Sequence, residues 1–489
     1  MENAGLCMFL AEMFGRNNSQ YSIPAKMKKT IFIIFFISVT ALLSATDYYV
    51  KAGGNNSAAG TSDATAWGTV AKVNSFSFSA GDHCYFRRGD SWIEILSPSV
   101  SGTSSNPITF DAYGTGVLPI IGGVGEVSGW NTAGNWTSQG SNLWSIPISG
   151  IIMSDIARIR IWLSNVEAKR SSTTSGVNNT TNFYCDGSML WVYTASNPAS
   201  AFSSVKRTGV YNGPLSIDSK NYLAFKNIDF RGGNWASIIL SSCNYLTFDG
   251  CKIGLYVPAS GISATNCGHG EVMNCTFDTG DRNIDAWEAE NEEDGLHLHD
   301  GCNNWNVHNN VFKDWGHCCL LLWGDNSADM VTDINIYDNS FSDENTDYGS
   351  ALTINGFIGG MARVHIYRNY MYKMGTNNQF CTDGELLFYD NIIDGTKGNT
   401  YKPSKSGYGI ACLAYGSEQG IGQKFYNNTV VNCLDGAVIL INYASSAYVY
   451  NNEFVNNIFA NNGANNSNFQ IYNGANSPSN GYYVLQNTF

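Results

Sequence analysis

An all-β solenoid of short parallel strands is the fold this sequence predicts, and three observations predict it. The first is a recurring pattern: apolar residue, exposed residue, Asn or Asp, then a closing apolar residue. It returns as FKNIDF, FDGCKI, MNCTF, VHNNVF, IYDNSF, IYRNYM, FYDNII, FYNNTV and VYNNEF. The closing residues are Phe230, Ile253, Phe277, Phe312, Phe341, Met371, Ile393, Val430 and Phe454, separated by 23, 24, 35, 29, 30, 22, 37 and 24 residues. A minimum step of 22 to 24 residues, lengthened by inserts, marks stacked repeats. The second observation is a period of two inside each copy. In INIYDNSF, Ile334 and Ile336 face one way while Asn335 and Tyr337 face the other, which excludes a helical solenoid. The third is an Asn in register at Asn310, Asn339, Asn369, Asn391, Asn428 and Asn452. Its amide can bond its equivalent one rung away, across a strand spacing of about 4.8 Å.

A column of that kind is similar to the asparagine ladder of right-handed parallel β-helices. Over roughly residues 210–489 the chain resembles the pectate-lyase-like β-helix superfamily. The resemblance implies a right-handed parallel β-helix and leaves the reaction open, because one fold hosts many chemistries. The segment TDYYVKAGGNNSAAGTSDATAWGTVAKVNSFSFSAGDHCYFRRGDSWIE resembles the opening of secreted, polysaccharide-acting members. It implies a first strand at YYV, a Gly/Asn/Ser loop and a short helix around Val70–Val73 that covers the open end of the coil. ILSPSVSG, ITFDAYG and PIIGG then read as first rungs. The repeat lapses between Val124 and Arg207, where Gly- and Asn-punctuated strands predict antiparallel hairpins. The expected organisation is a leader and signal over 1–45, a cap and first rungs over 46–123, a β-rich insertion over 124–210, and the β-helix over 211–489. No clear polar cap is legible at the C-terminus, which reads as a shortened chain or a dimer contact at that end.

Met27-Lys28-Lys29 followed by TIFIIFFISVTALLSA has the basic start, apolar stretch and small-residue end of a secretory signal cleaved near Ala45. Residues 1–26 fit no such logic, and translation from Met27 accounts for them. The expected protein is therefore secreted or displayed at the cell surface, with no membrane span after cleavage. Loss of residues 1–45 leaves 23 basic and 38 acidic residues, a net charge of −15. Such a surface disfavours nucleic acid and anionic membranes. Twelve cysteines follow the signal, none at CxxC spacing. Cys251, Cys275, Cys319 and Cys412 fall at or beside inward positions, so mostly free, buried thiols are expected. One member of the Cys318-Cys319 pair should turn inward.

Four of the seven histidines lie between Asp278 and Asp325. In DGLHLHD, Leu296 and Leu298 point inward and His297 and His299 stand outside, about 7 Å apart by two strand rises. Alignment with neighbouring repeats places Ser263, Leu320, Thr353 and Ala411 beside His297, and Thr265, Leu322, Asn355 and Leu413 beside His299. Exposed imidazoles offer proton transfer near neutral pH. Eliminative cleavage of a uronate glycan needs a base for the proton α to the carboxylate, a cation for the enolate and an acid for the leaving oxygen. His299 or Lys313 is the candidate base, His297 or His317 the candidate acid, and Asp300 the group that orients a histidine. DGLHLHD also resembles the DPHD motif of mannuronan C5-epimerases, which implies that role for His299 and Asp300, although the proline is absent here.

Asp278, Asp281, Asp285, Glu288, Glu290, Glu292, Glu293 and Asp294 place eight carboxylates within 17 residues. Calcium takes several such oxygens, and Asp281, Asp285, Glu292 and Asp294 are its expected ligands. Two of these carboxylates could instead serve as the acid and base of a glycosidase. Tyr337, Tyr367, Tyr389, Tyr426 and Tyr450 form an outer column that His308 begins. Such a column either offers sugar platforms or ties adjacent rungs together. His308, Tyr337 and Tyr367 are the expected substrate contacts, with Arg363 and Arg368 beside Lys373 to meet an anionic chain. The function expected is a polysaccharide lyase-like enzyme acting on an extracellular, uronate-containing glycan. A glycoside hydrolase and a non-catalytic glycan-binding or adhesive surface protein are the alternatives.

Overall fold

Alternation and Asn-rich turns give each rung three short strands with corners between them. One rung runs through Asp294–His299, Asn303–His308 and Val311–Lys313 before the chain climbs to Cys318–Gly324. The computed structural model describes residues 45–149, 159–208, 213–233, 235–255, 259–280, 294–343, 349–357, 359–398, 407–415, 419–443, 447–464, 470–474 and 483–488. Successive rungs pair in parallel, with Leu296 opposite Leu320, Val307 opposite Ile336 and Phe312 opposite Phe341. The three strand positions make three faces. The first face is a ten-stranded parallel sheet from Leu215–Asp218 to Ile471–Asn473. Inward side chains from all three faces form one continuous core. Within it Phe277, Phe312 and Phe341 stack at 4.4 and 5.0 Å between ring centres.

The asparagine ladder sits at the corner between the second and third faces. Asn310 donates its amide to Asn339, Asn339 to Asn369, Asn369 to Asn391, Asn391 to Asn428 and Asn428 to Asn457, at 2.9–3.1 Å. The residue before each ladder Asn takes a left-handed conformation, as at Asn309 (φ 56°) and Asp338 (φ 55°). Asn and Asp tolerate that region best. Arg368 adopts it too (φ 53°) and is held by a two-pronged bond to Asp338.

The last repeat corrects the sequence reading. Val430 pairs with Phe459, not Phe454, and Asn428 bonds Asn457, not Asn452. Tyr426 pairs with Val455, so Tyr450 is outside the tyrosine column. One slip explains all three differences. YNNEFVNNIF contains two Asn pairs, and the corner uses the second. Phe454 instead packs on Phe425 in the second face, and Asn452 donates to the Gly420 carbonyl beside a separate two-stranded sheet, Gly420–Ile421 with Val449–Tyr450.

At the N-terminal end, Thr69 caps the short helix Val70–Asn74 by accepting from the Lys72 amide at 3.1 Å. Val70 and Val73 enter the same core as Val50, Trp67 and Phe78. Between Gly125 and Arg207 the strands are mainly antiparallel and enclose their own core around Ile146, Ile161, Phe183 and Leu190. Gly125 pairs with Arg207, so the insertion leaves and rejoins the coil at neighbouring points. The twelve cysteines among the described residues form no disulfide and are buried. Both Cys318 and Cys319 are enclosed; Cys319 belongs to the core, while Cys318 lies against Asp294 on the outer side. No helix among the described residues is long and apolar enough to cross a membrane.

Candidate active site

The strand Asp294–His299 departs from simple alternation, and that departure builds the site. Gly295 and Leu296 both turn toward the core; a Cβ on Gly295 would lie 2.9 Å from the Phe312 ring and 2.3 Å from the Cys319 carbonyl. Asp294 and His297, three residues apart, therefore share the outer surface of the first face. Gly295→Ala should force these strands apart and lower stability by about 1–3 kcal/mol, read as a shift of the urea unfolding midpoint.

Asp294 is buried, and its Oδ1 accepts from His317 Nδ1 at 2.8 Å and from Cys318 Sγ at 3.1 Å. Its Oδ2 is 3.9 Å from His297 Nδ1. Burial pushes this carboxyl up, but the charges and hydrogen bonds of the surrounding imidazoles and thiol outweigh it and hold the carboxyl below its ordinary value. The His297 and His299 rings lie 4.5 Å apart, closer than the strand rise alone implies because the side chains lean together. His299 Nε2 is 2.7 Å from Thr265 Oγ1, and its Nδ1 is 3.5 Å from Asp300. His297 Nε2 is enclosed and lacks a hydrogen-bond partner.

Burial lowers the His297 pKa to about 4, against the pull of Asp294 and with the help of His299 and His317. This depressed pKa means that the unfolded chain binds the proton more readily. Stability is full above about pH 6.5 and falls as the pH drops through the window down to about 4. The loss is on the order of 3 kcal/mol, and His297→Gln should flatten that slope in urea unfolding measured across the window.

The neighbours of the two histidines differ in one rung from those expected. Leu321 and Trp323, not Leu320 and Leu322, stand beside His297 and His299. Leu320 and Leu322 are core residues. The run CCLLLWG lacks alternation, so the sequence carries no signal for its phase. Ser263, Thr265, Thr353 and Asn355 do fall in the expected columns. Trp323, whose indole donates to Asp325 at 2.5 Å, thus forms the edge of the site that sequence reasoning missed.

The other expected site residues separate. Lys313 is exposed on the third face beside Asp278 and Ser342, and among the described residues nothing bonds it to a histidine. His308 is on the second face, stacked on Tyr337 at 4.8 Å, which in turn stacks on Tyr367 and Tyr367 on Tyr389 at 5.0 Å. Interplanar angles of 5–8° mean that these rings cover one another's faces. The column therefore ties rungs together and offers a sugar only ring edges. Arg363 belongs to the second face and Arg368 to the corner that follows it, and they are held by Asp333 and Asp338. Of the expected calcium ligands, Asp281, Asp285 and Glu292 lie outside the described residues. Asp294 is bonded to an imidazole and a thiol, donors that suit calcium poorly. First-face geometry thus sets His297 and His317 against Asp294, with His299 beside His297 and Asp300 beside His299, and excludes Lys313, His308 and the tyrosines.

Residues 164–341 match the family model described as right handed beta helix region. No curated protein matches the sequence. Among solved structures, one described as a glycoside hydrolase is 11% identical, with 91% of this chain and 97% of that chain covered and a TM-score of 0.49. A lacto-N-biosidase from Eubacterium ramulus is 12% identical over 95% of this chain and 71% of that chain, with a TM-score of 0.46. An alginate lyase from a Paenibacillus species is 11% identical over 86% and 97%, with a TM-score of 0.35. Three-stranded rungs in parallel register, a buried asparagine ladder and the family match together make this chain a right-handed parallel β-helix.

Proposed function

We propose that this protein is an exported carbohydrate-active enzyme that cleaves a uronate-containing polysaccharide by β-elimination on its first face. The observation that carries the reading is a row of imidazoles on the first face: His317 and His297 meet the buried carboxylate of Asp294, and His299 packs against His297. As a carboxylate, Asp294 accepts the His317 Nδ1 proton and so leaves the Nε2 lone pair free to act as base. His317 Nε2 removes the proton α to the uronate carboxylate. The electron pair forms the new carbon–carbon double bond as the glycosidic C–O bond breaks. His299, oriented by Asp300 and Thr265, delivers a proton to the departing oxygen. His297, kept neutral by burial, stands between Asp294 and the His299 ring.

The test is to incubate residues 46–489 with a panel of acidic and neutral polysaccharides. Ultraviolet absorbance of the conjugated double bond supports elimination. New reducing ends without that absorbance indicate hydrolysis, and neither product indicates a binding protein. The same assay with chelator and added calcium tests the cation expected of the acidic segment. A loss that calcium restores would place the ion on carboxylates other than Asp294. Export is tested by N-terminal sequencing of the protein from the culture medium, with a start just after Ala45 as the expected result.

A further inference from the structure

We infer that the second face carries a separate binding groove for a neutral, hydroxyl-rich oligosaccharide. The groove encloses about 520 Å³. Its floor is a polar column in which Glu271, Asn306, Asn335 and His365 stand opposite one another on successive rungs. At about 4.8 Å per rung, this column is roughly 14 Å long, the length of a short oligosaccharide rather than a single sugar. Planar amides beside a carboxylate present both donors and acceptors, which suits vicinal hydroxyl groups.

Charge selects the class of ligand. Arg363 makes two bonds to Asp333, at 2.5 and 2.7 Å, so the groove's guanidinium is already neutralised. Glu271 lies 3.3 Å from His308 and keeps the floor acidic. A uronate or sulfate chain would meet repulsion here, whereas a neutral glycan would not. Two further features suit a sugar. Tyr222, Tyr245 and His269 stack at 4.5 and 4.4 Å, and the ring stack ends at His269, which lines the groove next to Asn304. His269 thus ends the ring stack at the groove, one rung before Asn304. His365 Nε2 is enclosed and has no hydrogen-bond partner. Residues that served only to bind rungs together would pair as Asn335 does with Asn306 at 3.1 Å. An unpaired buried nitrogen is costly, and a ligand hydroxyl would satisfy it.

The inference stands independently of the first-face reaction, since the two surfaces belong to different sheets. Its consequence is an enzyme that can hold a neutral glycan on one side while its first face acts on another chain.

Calorimetric titration of the whole mature chain with xylohexaose and cellohexaose, and with oligogalacturonate as the charged probe, tests it. Binding of at least one neutral hexamer is expected, without binding of oligogalacturonate at the second face. His365→Ala and Asn335→Ala should each weaken the neutral ligand about tenfold, and His365→Gln less. Circular dichroism and thermal unfolding establish that each variant is folded. His317→Ala, on the first face, should leave neutral binding unchanged. The inference is overturned if neither hexamer binds, if folded groove variants bind as tightly as the parent, or if His317→Ala abolishes binding.

Discussion

His317→Ala should reduce eliminative activity by about 10²–10⁴-fold, the usual contribution of a positioned acid–base group. The imidazole is partly exposed and its Nδ1 is anchored on Asp294, so its removal opens the surface without emptying the core. Asp294→Asn should cost a similar factor by another route. An amide can donate to Nδ1, which would favour the wrong tautomer and turn the free lone pair away from the substrate. It would also replace the acceptor that Cys318 uses. Rates measured across pH separate the two effects: His317→Ala should abolish the acidic limb of the profile, where a base must be free of its proton, and Asp294→Asn should shift it. Lys313→Ala should leave the rate within a factor of about two, the variation of an uninvolved surface position. A collapse of activity in Lys313→Ala with His317→Ala intact would return the base to Lys313 and refute the site drawn here.

The second large effect is on stability. Asn369 accepts from the backbone and side chain of Asn339 and donates to Asn391, to the Ile336 carbonyl and to the Tyr367 carbonyl. Alanine at this position strands several buried donors and acceptors at once. With about 1–3 kcal/mol for each unsatisfied group, a loss of at least about 4 kcal/mol is expected in urea unfolding. Because rungs contact chiefly their neighbours, the break should spread locally, and hydrogen exchange should rise first in the rungs of Asn339 and Asn391. A loss below about 1 kcal/mol would show that water replaces the amide, and that the ladder is not the main bond between these corners.

How much of the site was legible depended on periodicity. His297 and His299 were identifiable because HLH alternates between two inward leucines, Leu296 and Leu298. Trp323 was not, because its strand reads CCLLLWG and either phase satisfies an apolar pattern. Asp294 was visible only as one acid among eight. Its place at the centre depends on Gly295 turning inward beside Phe312, which no local pattern announces. The tyrosines show a different limit. Their column was legible as far as Tyr426, but a column by itself does not say whether rings present faces or edges.

By itself the sequence determined the all-β class, the parallel stacking, the inward residues of most rungs and the existence of the ladder. These follow from short-range alternation and from a corner that needs Asn, so they are written into each repeat. Only the tertiary structure decided that Asn457 and Phe459 complete the last copy, that Lys313 and His308 stand on other faces, and that His317 reaches back one rung to Asp294. Those relations join residues 23 to 29 positions apart. They depend on where each corner turns the chain, and a change of one residue in that turn redirects a side chain to another surface.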